Sequence, residues 1–335
     1  MAQTKIPNEL LEIGAKAFGT SSIMIGDTTT GTIDAADNNT GVGVDVFAAL
    51  TTGDNNAAFG KSALTAVTTG SKNTAVGALA GDAITTGSEN TAIGTECLTA
   101  NTTASNNTGV GHSSLEANTT GADNTAVGKN SLVANTTGAS NTAIGSAALD
   151  ANTTASNNVA IGKDALGANN ASGNTAVGAS AAAASTGVGN TAVGNAALAG
   201  SNTANYNTAI GNSALESNTS GSTNVAVGRM ALNANTTGSV NTALGMRALD
   251  LNTTASNNTA VGGDAMGANT TGAGNTALGM DALKANTTGS DNVGLGLYAG
   301  NAITTGSQNI MVGSSASVSA VDAGNQTVIG YNLTS

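Results

Sequence analysis

Few side chains in this sequence have the types that catalysis or metal binding needs, and those few lack companions. Among 335 residues His112 is the sole histidine and Cys97 the sole cysteine. Nucleophilic catalysis needs a nucleophile, a base and a group that orients the base, and no second element is identifiable for either residue. A single cysteine also precludes an internal disulfide. Carboxylates recur at Asp45, Glu96, Asp164, Asp264 and Asp281. A cation between successive repeats is one use for them. They recur irregularly, however, and only Asp264 and Asp281 lie one repeat apart, so solvated charge is expected. Glycine-rich stretches such as Gly41 to Gly43 imitate nucleotide loops without the strand–helix setting such loops require. The reading is therefore no catalytic residue, no metal site and no cofactor: not an enzyme.

What would position any such group is a repeat. Asn124 to Ser140 reads NTAVGKNSLVANTTGAS, and nearly all of the chain copies it. Units start at 22, 39, 56, 73, 90, 107, 124, 141, 158, 174, 190, 207, 224, 241, 258, 275, 292, 309 and 326. Sixteen of the eighteen intervals are seventeen residues, and those beginning at Asn158 and Asn174 are sixteen. Such periodicity predicts a solenoid, in which each unit buries its apolar face by stacking on its neighbours. With coils about 4.8 Å apart, the repeats would make a rod of roughly 85 Å.

Numbering the unit from Asn124, position five is always glycine, where the backbone can turn a corner closed to other residues. Position four is Val, Ile, Leu or Phe and position two is mostly Thr, Val or Ile. Alternation makes these the inward residues of one short parallel strand per coil. Position three would then face outward, yet it is Ala or Gly except at the ends, where Met24, Met311 and Val328 appear. A row of small residues predicts close backbone approach, either by tight packing inside one chain or at a subunit interface, and an interface along Ala126, Ala143, Ala160, Ala176, Ala192 and Ala209 is preferred.

Position nine is usually leucine and position twelve is asparagine in ten coils, with Ile33, Leu50, Val67, Ile84 or Ile303 elsewhere. A site that accepts either an amide or an aliphatic is expected to be interior, with stacked amides bonding along the axis. Positions eight, nine and twelve suit either a second strand or one face of a helix, and a short helical turn is preferred. Cys97 falls at an alanine-like position eight and is expected to be buried and inert, and His112, at variable position six, to be exposed. The N-T-T triplets match the glycosylation sequon on asparagines expected to be buried.

Charged residues are only 9% of the chain and aromatics 2%, with a net charge of −11. An acidic balance argues against nucleic acid as partner, and no apolar run is long enough for a membrane helix. Residues 1–21 lie outside the repeat and read as a cap or attachment segment, with Ile6, Leu10, Ile13 and Phe18 at helical spacing and Pro7 and Asn8 suited to a helix start. Residues 22–313 form the solenoid, and 314–335 a divergent C-terminal coil and cap. No signal-peptide core is visible at the N-terminus.

The NTAVG and NVAIG coils resemble the head repeats of trimeric autotransporter adhesins. They are more similar still to the NTA(V/I/L)G-x-x-AL-x-x-NTTG arrays of marine bacteriophage tail-fibre proteins, whose opening TKIPNELL also resembles. The array runs from Ser22 to the end. The resemblance implies an all-β, left-handed parallel β-solenoid of about eighteen coils in a homotrimeric rod. It further implies a virion protein, made in the host cytoplasm, attached to the tail or another virion component through its N-terminus. Its partner would be a host receptor, a glycan or an outer-membrane component. Tyr331 in the divergent C-terminal coil is the candidate receptor-binding residue. Two departures from these families are expected: neither a signal peptide with a membrane-anchoring C-terminus nor a self-cleaving chaperone domain is read in this sequence. Alternative expectations are a bacterial cell-surface adhesin head and an ice-binding solenoid, whose Thr-Thr pairs would stack into ladders interrupted at Asn170, Gly187 and Asn202.

Overall fold

The computed structural model describes residues 15–18, 21–26, 35–200 and 202–334. The chain is an all-β parallel β-solenoid of about eighteen turns with a repeat of about seventeen residues, and no helix occurs among the described residues. It divides into two units, residues 1–158 and 159–335. The first opens with β1 (Ala15–Phe18), which pairs antiparallel with β2 (Ser22–Gly26). Phe18 thus belongs to a strand rather than to the expected helical segment, whose other residues lie outside the described ones. Thereafter each coil contributes one short parallel strand at fixed register. Thr125, Ala126 and Val127 align with Thr142, Ala143 and Ile144 in the first unit, and Thr191, Ala192 and Val193 with Thr208, Ala209 and Ile210 in the second. The strand pattern continues past residue 313, since Thr327–Ile329 pairs in parallel with Ile310–Val312.

Glycine at position five follows from geometry. Its φ lies between 129° and 147° in all described coils, a region closed to L side chains. At Gly128 a β-carbon would sit 2.5 Å from the carbonyl oxygen of Gly145. The expected helical turn over positions eight to twelve is not formed, and neither is a second strand. Positions seven and nine are both left-handed, as at Asn130 (φ 58°) and Leu132 (φ 50°), which no helix tolerates. Two consecutive turns replace it, closed by Ser131 N–H to Gly128 O and Asn135 N–H to Leu132 O. Because β-branched side chains are the most strained at positive φ, position nine carries Leu, Met, Phe, Ala or Gly and never Val or Ile where it is left-handed.

Two amide ladders hold the interior. At position one, Asn124 N–H donates to Asn107 Oδ1 (3.0 Å), and Asn141 N–H donates to Asn124 Oδ1 (3.0 Å). Asn124 Nδ2 meanwhile donates to Gly138 O (2.8 Å) across the same coil. The pattern runs from Asn39 to Asn158 in the first unit and from Asn174 to Gln326 in the second. At position twelve the expected ladder forms: Asn135 Nδ2 donates to Asn118 Oδ1 and Asn152 Nδ2 to Asn135 Oδ1, both at 2.8 Å. Burying an amide without partners is costly, and here each coil supplies the next coil's partner.

Candidate functional site

The strand has two faces, and the structure reverses their expected assignment. Ala126, Ala143, Ala160, Ala176, Ala192 and Ala209 are completely buried inside their own coils. They point at the leucines and asparagines of the interior and cannot line a seam between subunits, so that expectation is corrected. The physical reason is a narrow core. Position three shares its space with positions eight and nine, so a larger residue at one demands a smaller one at another. Gly41 faces Val46 and Phe47, and a β-carbon on it would approach them to 2.7 and 3.1 Å. At Gly109 a β-carbon would meet Cys97 Sγ at 2.5 Å. Conversely, buried Met311 at position three places its Cε over Gly300 at position nine.

Positions two and four therefore face outward. Val42, Phe59, Val76, Ile93 and Ile144 in the first unit are exposed by 36–42%, as are Ile161, Ile210, Leu244 and Leu278 in the second, by 37–52%. Position two beside them is Thr in most coils, and no charged residue occupies either rank in any coil. Each unit thus carries a strip of paired uncharged ranks, aliphatic and threonine. In the first unit Lys61, His112 and Lys129 stand along one edge at position six, and Lys72, Glu89 and Asp123 along the other at position seventeen. An uncharged centre within a charged border is the arrangement of protein interfaces.

A second outward feature comes from the Thr-Thr pairs. The first threonine is used internally: Thr136 Oγ1 donates to Thr153 O and Thr119 Oγ1 to Thr136 O, both at 3.0 Å. The second is exposed, at Thr52, Thr69, Thr86, Thr103, Thr120 and Thr137. In the second unit this rank gives way to Ala171 and Gly187 in the two sixteen-residue coils and resumes at Thr203.

The remaining candidates are dispersed. His112 is exposed, with Nε2 3.7 Å from Glu96 Oε2. Cys97 is buried, its Sγ 3.7 Å from Ser114 Oγ, and burial pushes its pKa up to about 11. Position-seven carboxylates pair with cations, as Asp264 with Arg247 (3.3 Å) and Asp281 with Lys284 (2.6 Å). Among the described residues no group of three or more His, Cys, Asp or Glu side chains is placed to hold a metal ion. The sequon asparagines Asn101, Asn118 and Asn135 are wholly buried. Tyr331 is 79% exposed in the last coil, near Ile329 and Leu333, which are exposed too.

Sequence reasoning missed the position-one ladder. Its signal was present, since asparagine opens every coil from Asn39 to Asn309 while solvent-facing positions vary. Compared with protein-family models and with curated proteins, the chain matches none.

Proposed function

We propose that the chain is a structural and adhesive fibre protein of a phage particle. Three copies assemble side by side into a rigid rod that presents a receptor-binding surface to a host cell. The observation that supports lateral assembly is the uncharged Thr/aliphatic strip, which leaves one large apolar side chain per coil in water. A single soluble column gains nothing from such ranks, whereas partner columns would bury them. The viral and adhesive parts of the reading rest on the resemblance of the NTAVG coils to tail-fibre arrays. Function would be mechanical: a stiff support holds several weak contacts at one end, and avidity multiplies them.

Light scattering on purified protein tests the assembly. The wild type is expected at three times the chain mass of 31.8 kDa. Val127→Lys with Ile144→Lys places six ammonium groups in the seam of each trimer, and buried unpaired charge costs several kcal/mol. This variant is expected to dissociate, while Thr120→Lys with Thr137→Lys, off the strip, stays assembled. A monomeric wild type, or a strip variant that remains trimeric, overturns the assembly. Mass spectrometry of purified particles tests the virion assignment.

An ice-binding surface is the second reading, favoured by the exposed rank from Thr52 to Thr137, whose hydroxyls donate to no protein group among the described residues. Inhibition of ice recrystallisation, lost on Thr103→Lys with Thr120→Lys, would select it.

A further inference from the structure

The repeat is disturbed in one place, and an aromatic ring stands there. The two sixteen-residue coils, 158–173 and 174–189, each lack one residue of the closing T-T-G-S-x segment. The outward column at position seventeen, occupied by side chains such as Asn157 or Thr223 in most coils, becomes Gly173 and Gly189 here, as it does again at Gly274. Around a β-carbon built on Gly173 there is no atom within 4 Å. Next in the column is Tyr206, 65% exposed in a chain with only three tyrosines and no tryptophan. Its ring lies against Gly189, where a β-carbon would come within 2.7 Å of Cδ1 and 2.9 Å of Cε1. Glycine at 189 is thus what lets the ring rest along the column instead of standing into solvent.

Polar chemistry is fixed beside the ring. Asn205 Oδ1 accepts the backbone N–H of Val188 at 2.8 Å, and the Asn205 backbone N–H donates to Ser222 Oγ at 3.1 Å. With its oxygen so used, the amide turns its Nδ2 outward, and that group donates to no residue among the described ones. Val188, whose carbonyl accepts the Tyr206 N–H at 3.1 Å, is 38% exposed. No charged residue occurs between Asp164 and Glu216, the longest uncharged run in the chain.

We propose that Tyr206, Asn205 and Val188 form a platform for one neutral sugar ring of a glycan. A pyranose has an apolar C–H face that stacks on an aromatic ring and a hydroxyl edge that accepts from an amide, matching an amphipathic tyrosine beside a fixed asparagine. The absence of lysine and arginine disfavours phosphate-bearing partners. One such platform per chain gives a side-by-side assembly several, so weak single-ring binding suffices for attachment. This rests on the adhesive reading above for its role, though not for its chemistry.

Saturation-transfer NMR on the full chain tests it, with methyl α-D-glucopyranoside, methyl β-D-galactopyranoside, methyl α-D-mannopyranoside and N-acetylglucosamine as probes. At least one is expected to bind, with intermolecular contacts from its ring protons to the Tyr206 ring. Tyr206→Phe is expected to retain binding, since stacking does not use the hydroxyl. Tyr206→Ala is expected to weaken it about tenfold, the loss of one aromatic contact. Leu251→Ala, at an exposed side chain away from the ring, serves as the control and is expected to leave it unchanged. The contacts to Tyr206 are read on the wild type, so they stand even if Tyr206→Ala fails to fold. Silence from all four probes, contacts to a tyrosine other than Tyr206, or unchanged binding by a folded Tyr206→Ala overturns the proposal. Assembly and particle location are read by other measurements, so a trimeric virion fibre without this binding loses the platform alone.

Discussion

Replacing Asn124 by alanine tests whether the position-one ladder, and not the backbone alone, holds successive coils together. In the wild type the Asn124 side chain accepts from Asn141 N–H (3.0 Å) and from Asn141 Nδ2 (3.1 Å), and donates to Gly138 O (2.8 Å). These losses are unequal. Gly138 O keeps a donor in Asn135 Nδ2 (2.9 Å), and one hydrogen of Asn141 Nδ2 keeps Ala155 O (3.0 Å). Two donors are orphaned: the Asn141 backbone N–H and the second hydrogen of its amide. Both belong to a residue 1% exposed, where water cannot substitute. At about 1–3 kcal/mol for each unsatisfied buried group, the variant should lose about 2–6 kcal/mol. Because coils support only their neighbours, the damage should be local and appear as a loss of cooperativity as well as an earlier midpoint. Urea unfolding followed by circular dichroism at several protein concentrations measures both. Thr137→Ala, a solvent-facing change in the same coil, supplies the baseline and should shift stability by less than about 0.5 kcal/mol. If Asn124→Ala unfolds with the wild-type midpoint and slope, the ladder contributes nothing, and the strand and turn hydrogen bonds suffice.

Three further outcomes follow from single residues. Leu132→Ile should destabilise more than Leu132→Met in thermal unfolding, although both keep an apolar side chain, because φ is 50° there and Met266 already occupies the equivalent place; equal losses would refute the strain argument. Cys97, with its thiol pushed up to about 11 by burial, should resist a thiol reagent at neutral pH and react stoichiometrically in denaturant, and rapid native labelling would contradict its interior position. Burial likewise raises the pKa of Asp82, against smaller opposing hydrogen bonds from its own and Ala83's backbone N–H. Since its folded value lies above the unfolded one, the favourable contribution is present below about pH 4 and is lost as pH rises through the folded pKa. Asp82→Asn should therefore raise the urea midpoint at pH 7 and lose that advantage near pH 3, and a gain independent of pH would show another cause.

The repeat was legible because its period is in the sequence, and so was one strand per coil, since Thr-Ala-Val followed by glycine admits little else. The amide ladder at position twelve was legible too, from a site that takes Asn135 in one coil and Ile84 in another. What the sequence concealed was direction. Alternation separates Ala126 from Thr125 and Val127 without saying which side faces in, and size suggested that valine did. The interior had already been filled from elsewhere, by Leu132 on its left-handed turn and by Asn124 and Asn135, leaving room at position three only for a methyl group. Left-handed leucine was concealed as well: positions eight, nine and twelve satisfy a helical spacing, and only the absence of Val and Ile at position nine hints that the backbone is on the other side of φ space.

That reversal bears on function. Folded chains ordinarily keep valine and isoleucine inside and asparagine outside, and this one reverses that at positions one and four of its coils. Its asparagines are inside because successive coils supply one another's amide partners along both ladders. Its aliphatics are outside although the ranks at positions two and four could carry charge without disturbing the core, as position six does with Lys61, Lys129 and Arg229. A residue that the interior does not need and that water does not favour requires another reason to recur in every coil. In the proposed assembly, burial against a copy of the same strip would supply it, because two identical columns offer the same spacing, about 4.8 Å for one coil of β rise, and ranks of Val127 and Ile144 would meet their equivalents in register. A partner of different periodicity would match at a few coils and slip out of step along the rest. The regularity of the strip therefore favours the proposed self-association over capture of an irregular ligand, and on that proposal recognition would fall where the repeat breaks, at Tyr206 and in the last coil around Tyr331.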